Sequence, residues 1–230
     1  GRMDDRELLE TLEKAARQKA TSLVLINEGL TSLPPEIGQL TRLEELDLSR
    51  NRLTSLPPEI GHLTSLLQLL DLSGNQLTSL PPEIVQLTDL QQLHLVGNGL
   101  TNLPPQIGQL ADLRRLDLSA NQLTSLPPEI GKLTNLRDLS LTDNELTSLP
   151  PEIVQLTNLR YLNLEFVHLT TLASEILKLT NLQELYFSDH LALVPLEAGQ
   201  LTNLRSLGLG SNQLTSLPPE IGQLNKLEEL

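Results

Sequence analysis

Residues that could support catalysis or metal binding are sparse in this sequence. It contains no cysteine, and it has neither a GxxxxGK[ST] phosphate-binding loop nor an HExxH zinc motif. Two of the four histidines, His168 and His190, fall near the acidic residues Glu165 and Asp189 and raise the question of a metal site. The short ligand spacing of dedicated zinc motifs is absent, however. We therefore expect no catalytic residue, cofactor or metal, and interpret these groups as polar residues on a solvated rim.

The elements that position these residues follow from an internal repeat. Residues 113–135 read LRRLDLSANQLTSLPPEIGKLTN, and the pattern recurs along the chain. An asparagine marks it at Asn98, Asn121 and Asn144, with a period of 23 residues. Such a period is the signature of a leucine-rich-repeat solenoid. The corresponding positions define nine repeats, and Leu227 and Leu230 open a tenth; these positions are Glu28, Asn51, Asn75, Asn98, Asn121, Asn144, Val167, His190 and Asn212.

Each part of the repeat has a physical role. In Leu116-Asp117-Leu118 the apolar residues alternate, which predicts a short strand with one buried face. Stacked copies of this strand form a parallel sheet on the concave side of a horseshoe. Pro127 and Pro128 lack N–H donors, so the next segment cannot join a second sheet and leads into a short helical turn. The predicted fold class is therefore α/β, a leucine-rich-repeat horseshoe with a concave parallel sheet.

The ends of the chain differ from the repeats. Asp4 to Lys19 predicts a helix, because Asp4 and Glu7 form a capping pattern and an apolar stripe runs along one face. We assign residues 1–22 to an N-terminal capping helix, with a partner-binding amphipathic helix as the alternative, and residues 23–230 to the repeats. Because the sequence stops at Leu230 within a predicted strand, we expect it to belong to a longer protein.

Besides repeat one, which has Glu28 at the asparagine position, three repeats depart from the pattern. The spacing from Asn51 to Asn75 is 24 residues, and an extra residue within Leu66–Leu70 predicts a bulge at the strand entrance. Elsewhere we expect the asparagine amide to bond the backbone of its own turn and of the next one. Val167 and His190 replace it in repeats seven and eight, which also lack the proline pair. We expect these two repeats to open more easily.

Composition limits the classes of partner and compartment. A net charge of −13 argues against nucleic acid and anionic membranes as partners. The chain has no cysteine, no apparent signal peptide and no long apolar run. We therefore expect a cytoplasmic protein that binds other proteins, with this chain monomeric.

The residues that flank the strand leucines point into the concave face, because the leucines point away from it. In most repeats these residues are small or polar, whereas all four aromatic residues lie in repeats seven and eight. Phe187 takes a leucine position and is predicted to be core, and the other three are candidate interface anchors. Alternatively, Phe166 packs inward to fill the space of the missing asparagine. The predicted partner-binding surface consists of Tyr161, Asn163, Glu165, Phe166, His168, Glu184, Tyr186, Asp189 and His190.

The unit LPPEIGxLTNLxxLxLxxNxL resembles the repeats of intracellular scaffold proteins that act on Ras signalling. It resembles still more the leucine-rich-repeat domain of bacterial Roco proteins. This resemblance implies a homodimeric parent protein that also contains a Ras-like GTPase domain (Roc) and a COR dimerisation domain. The repeats would then be a regulatory arm that binds a protein partner or its own Roc–COR module. The alternatives are the substrate-recognition domain of a bacterial effector ligase, whose repeats tend to be nearer 20 residues, and a structural spacer.

Overall fold

In a computed structural model, which describes residues 2–64, 67–169, 174–187, 194–210, 212 and 214–230, the chain is a solenoid. The nine strands among these residues, β1–β9, pair in sequence order into one parallel sheet. Equivalent residues lie opposite each other, so Leu116 on β5 pairs with Leu139 on β6. The strands are Ser22–Val24, Glu45–Asp47, Leu69–Asp71, Gln92–His94, Arg115–Asp117, Asp138–Ser140, Tyr161–Leu164, Glu184–Phe187 and Ser206–Gly208. The predicted parallel horseshoe sheet is confirmed.

Short helical turns form the convex side. Most begin at the second residue of a proline pair, where a missing N–H costs no helical hydrogen bond. The Ile37 N–H donates to the Pro34 carbonyl oxygen at 3.1 Å, the three-residue spacing of a 3₁₀ helix. The 3₁₀ turns in the described residues are Pro35–Gln39, Pro58–His62, Pro82–Gln86, Pro105–Gln109, Pro128–Lys132, Pro151–Gln155, Leu196–Gln200 and Pro219–Gln223. Where the proline pair is absent after repeat seven, a short α-helix forms, α2 (Ser174–Leu177).

The core lies between the sheet and these turns and is almost entirely leucine and isoleucine. Phe187 is 2% exposed and occupies a leucine position, as predicted. At the N-terminal end, helix α1 (Asp5–Arg17) buries Leu8, Leu12 and Ala15. The Asp4 side chain caps this helix by accepting a hydrogen bond from the Glu7 N–H at 2.8 Å. Helix α1 packs on the first 3₁₀ turn, at the N-terminal end of the solenoid.

The asparagines form the expected buried ladder, but they bond in the other direction along the chain. Asn51 Oδ1 accepts from the Glu28 and Leu30 N–H groups at 3.0 and 3.1 Å. Its Nδ2 donates to the carbonyl oxygens of Leu25 at 2.7 Å and Leu48 at 2.9 Å. The amide therefore joins its own turn to the preceding repeat, not to the next one. The backbone N–H and C=O groups of the preceding repeat face the asparagine side chain, and they therefore become its hydrogen-bond partners.

The 24-residue repeat keeps a regular strand. Leu67 and Leu70 are buried, and β3 pairs with β2 and β4 without an offset. The extra residue lies between Leu63 and Leu67, where three residues replace the usual two. Of the predicted bulge, positions 67–70 are therefore regular, while residues 65 and 66 lie outside the described part of the chain.

Candidate functional site

Strands β7 and β8 bring four of the predicted binding residues together. In both strands the leucine or phenylalanine positions are buried and the residues between them are partly exposed. Tyr161 lies opposite Glu184, and Asn163 lies opposite Tyr186. Because neighbouring strands are only about 4.8 Å apart, the two residues of each pair lie side by side on the sheet. These four residues form one patch on the concave face.

The two tyrosines of this patch contact each other. The ring centroids of Tyr161 and Tyr186 are 5.7 Å apart with an interplanar angle of 50°, and we call these residues the tyrosine pair. Asn163 Nδ2 donates to the Tyr161 hydroxyl at 3.1 Å, and the Tyr186 hydroxyl donates to Glu184 Oε1 at 3.0 Å. Burial raises the pKa of the Tyr186 hydroxyl above its usual value, and the Glu184 carboxylate acts in the same direction. Both rings are held in place by polar contacts.

Gly208 on β9 explains where the Tyr186 ring rests. A Cβ atom added to Gly208 would collide with the side of that ring, so the ring lies against the bare backbone of the next strand. Gly208 and Gly210 resemble a glycine motif in the sequence, but Gly208 has a packing role. It gives Tyr186 the space to lie beside Tyr161.

Phe166 occupies a different part of the molecule. It is 51% exposed, which contradicts the alternative that it packs inward, and the neighbouring Val167 fills the asparagine position at 1% exposure. Its φ angle of 54° places a bulky residue in the left-handed region, which is strained. With Asp143 and His168 it lines a recess formed by the turns that follow the strands. The sequence grouped Phe166 with the tyrosines, whereas the structure places it in these turns, beyond the end of β7.

The remaining predicted residues are polar. The Glu165 N–H donates to Asn163 Oδ1 at 3.0 Å, which fixes the turn after β7. His168 Nε2 lies 2.9 Å from Glu145 Oε2. Asp189 and His190 lie outside the described residues. No three histidine, aspartate or glutamate side chains within the described ranges lie close enough to hold a metal ion.

A recess beside the tyrosine pair contains residues that the sequence-based site omitted. This concave recess has a volume of about 390 Å³ and extends from β4 to β8. Its polar lining consists of His94, Arg115, Asp117, Asp138, Ser140, Tyr161 and Glu184. The sequence identifies these as concave-face residues, but only strand alignment reveals that repeats four to eight contribute to one recess. Stacking the repeats by their period would have brought Asp138, Tyr161 and Glu184 into one row.

Comparison with known families agrees with the geometry. The family described as "Leucine-rich repeat region" matches residues 105–190, "Leucine rich repeat" matches 18–77 and 41–100, and "Leucine Rich Repeat" matches 203–224. This chain is a leucine-rich-repeat domain. Domains of this family generally mediate protein–protein interaction and are typically not catalytic. Within the described residues, no helix has the length and apolar character needed to cross a membrane.

Solved structures give the same classification. LRR protein LIC12759 of Leptospira interrogans is 47% identical with a TM-score of 0.90, and the alignment covers 95% of this domain and 56% of that chain. The plant peptide hormone receptor RGFR1, solved in complex with RGF2, is 31% identical with a TM-score of 0.75, and the alignment covers 91% of this domain and 35% of that chain. The leucine-rich-repeat domain of the type III effector XopL is 26% identical with a TM-score of 0.75, and the alignment covers 99% of this domain and 83% of that chain. No curated protein matches this domain significantly. The domain thus spans little more than half the length of the Leptospira relative.

Proposed function

We propose that this leucine-rich-repeat domain is a protein-interaction scaffold that binds its partner on the concave face around the tyrosine pair. The observation that carries the proposal is the contact between Tyr161 and Tyr186 on an open sheet whose other concave residues are mostly small or polar. Tyrosine is enriched among residues that dominate binding energy, because it buries a large area and keeps a polar group at the rim. The peptide-bound receptor RGFR1 shares the repeat architecture at 31% identity.

We further propose that the domain is the regulatory arm of a Roco-type GTPase, whose own Roc–COR module is the partner. The resemblance of the repeat unit to bacterial Roco proteins supports this assignment. The coding sequence beyond Leu230 provides the first test: a GxxxxGK[ST] motif followed by a COR-like segment is expected. A continuation without that motif would rule the Roco assignment out and leave the scaffold proposal intact.

The binding site is tested by titrating this domain against the Roc–COR portion of its parent chain, in GDP and GTP-analogue states. We expect saturable, nucleotide-dependent binding that is abolished by the double variant Tyr161→Ala/Tyr186→Ala. A matched control is Leu69→Ala, which removes a partly exposed apolar residue from the same column of the sheet on β3. Equal binding by wild type and the tyrosine variant would contradict the proposed site.

A substrate-recognition domain of a bacterial effector is the second candidate. It is favoured by the similarity to the XopL repeat domain, which spans 99% of this chain. The 23-residue period argues against the effector ligases, whose repeats tend to be shorter. A ligase domain encoded next to the repeats would support this candidate. A structural spacer, the third possibility, predicts that the tyrosine substitutions change no binding.

A further inference from the structure

The central columns of side chains on the concave face contain more acidic than basic residues. Two columns of side chains run across the strands, and both carry mainly acidic charge: Glu45, Asp47, Asp71, Asp117, Asp138 and Glu184. Among the column positions that the structure describes on β1–β9, Arg115 is the single arginine or lysine. It is already engaged, since its Nη2 lies 3.1 Å from Asp138 Oδ2. The two central columns therefore present a net negative charge to a partner.

The concave recess concentrates this charge next to an aromatic ring. Three carboxylates, those of Asp117, Asp138 and Glu184, line it together with one guanidinium, and Tyr161 forms part of its wall. Arg115 neutralises Asp138. Asp117 accepts hydrogen bonds from Ser119 through Oδ1, and Glu184 accepts one from Tyr186 through Oε1. The second oxygen of each of these two carboxylates has no donor within the described part of the chain.

Strand alignment places Tyr161 between two of these carboxylates. It lies opposite Asp138 on one side and opposite Glu184 on the other. A planar cation in this position can stack on the tyrosine ring and donate to a carboxylate at the same time. Arginine satisfies both requirements, because its guanidinium is planar, permanently charged and carries five N–H donors in a fixed fork. A lysine ammonium is a point charge and gains less from this arrangement.

We propose that the concave recess binds an arginine side chain of the protein partner, beside Tyr161 and against the Glu184 carboxylate, with Asp117 adding to the negative charge of the lining. This inference rests on the proposed function and specifies the chemistry that the partner presents. The recess volume of about 390 Å³ lies within the range of small-ligand sites, so it holds a side chain with adjoining backbone rather than a single ion. The partner segment is therefore basic, in keeping with the net charge of −13 on the domain.

The test uses N-acetyl-arginine N-methylamide as the probe and the 230-residue chain as the receptor. Because the sequence has two tyrosines and no tryptophan, tyrosine fluorescence reports on the tyrosine pair alone. We expect saturable binding of the arginine probe and several-fold weaker binding of the lysine analogue. The citrulline analogue, which has a similar shape without the charge, is expected not to bind. Equal binding of the citrulline or lysine analogue, or no binding of arginine, would overturn the proposal.

Matched variants locate the site. Glu184→Gln is expected to weaken arginine binding about tenfold, the effect of removing one charged hydrogen bond. Asp117→Asn is expected to weaken it by a smaller factor, because Asp117 lies three strands away and acts through its charge. Glu45→Gln is the control, because it removes the same charge from the same column on β2, away from the recess. Equal losses in all three variants would indicate a general field and overturn the assigned site. Partner binding that still depends on the tyrosine pair after a negative probe result would remove the arginine inference and keep the proposed function.

Discussion

At the scale of single residues, Val167 interrupts the asparagine ladder. In the preceding repeat, Asn144 Oδ1 accepts from the Leu123 N–H at 3.0 Å and Nδ2 donates to the Leu118 carbonyl oxygen at 2.9 Å. Val167 is as buried as the asparagines but offers no acceptor to the corresponding N–H group of Leu146. A buried polar group without a partner costs about 1–3 kcal/mol.

Restoring the asparagine should therefore stabilise the domain. We expect Val167→Asn to increase the free energy of unfolding by about 1–2 kcal/mol, because the site already accommodates asparagine in the neighbouring repeats. Urea denaturation followed by circular dichroism measures this difference. The reverse exchange, Asn144→Val, should lose a comparable amount. A destabilised Val167→Asn variant would show that repeat seven has repacked around the valine.

A second residue-scale prediction concerns the support of Tyr186. Gly208→Ala should displace the Tyr186 ring, because the new methyl group takes the space that the ring occupies. We expect altered tyrosine fluorescence and partner binding weakened about tenfold, the effect of losing one well-packed anchor. Gly210→Ala serves as the control, since nothing lies within 4 Å of a Cβ atom there. If both variants bind like wild type, the position of the Tyr186 ring does not contribute to binding.

The ionisation of Tyr186 gives a third prediction. Its pKa is raised by burial and by Glu184, so the folded chain holds the phenol proton more tightly than the unfolded chain does. The associated stability is present below the unfolded value near 10 and is lost as the pH rises through the folded pKa. In the Tyr161→Phe variant, Tyr186 is the remaining tyrosine, so absorbance titration of the folded variant should give a phenol midpoint above 10. The same titration in denaturant should give a midpoint near 10. Identical midpoints would contradict the assigned environment of Tyr186.

At the scale of the elements, close packing on the convex side depends on a repeated glycine. A Cβ atom added to Gly131 would lie 2.6 Å from the carbonyl oxygen of Glu152 in the next turn. Val85 stands at the equivalent position in Pro82–Gln86, and that turn contacts the following one less closely than the other 3₁₀ pairs do. Glycine thus allows adjacent turns to approach, and a larger residue separates them.

This packing makes the effect of valine depend on position. Gly131→Val should destabilise the domain by about 1–3 kcal/mol, the usual cost of inserting atoms into a packed interface. Gly222→Val has the same local sequence context but nothing within 4 Å of its Cβ position, and it should change stability little. Thermal unfolding of the two variants compares them directly. Equal melting temperatures would mean that the turns adjust their spacing at no cost.

The elements also show how far the sequence predicts the structure. The period predicts the strands, the helical turns and the buried columns, because most repeats place leucine, isoleucine and proline at the same positions. It did not determine the direction of the Asn51 hydrogen bonds or the position of Phe166. Both depend on the relative placement of adjacent turns, which is a three-dimensional property. Similarly, the concave recess depends on side chains from five different repeats, and no single repeat contains its pattern.

At the scale of the whole molecule, a solenoid has contacts mainly between neighbouring repeats, so local defects remain local. Repeats seven and eight lack the proline pair, and repeat seven has Val167 in place of the asparagine. In addition, α2 packs against Pro151–Gln155 less closely than most 3₁₀ turns pack together. Sub-global opening should therefore begin there. The repeats expected to open first are thus the two that carry the tyrosine pair.

Hydrogen exchange on the intact domain tests this distribution. Backbone amides of β7 and β8 should exchange faster than those of β4, β5 and β6, since opening the defective repeats breaks fewer side-chain-to-backbone hydrogen bonds. Val167→Asn should slow exchange in β7 and β8 specifically and leave β4 unchanged, because coupling decays along the solenoid. Equal or slower exchange of β7 and β8 in the wild-type domain would contradict the argument. In that case the tyrosine pair and the packing of Phe187 would compensate for the interrupted ladder.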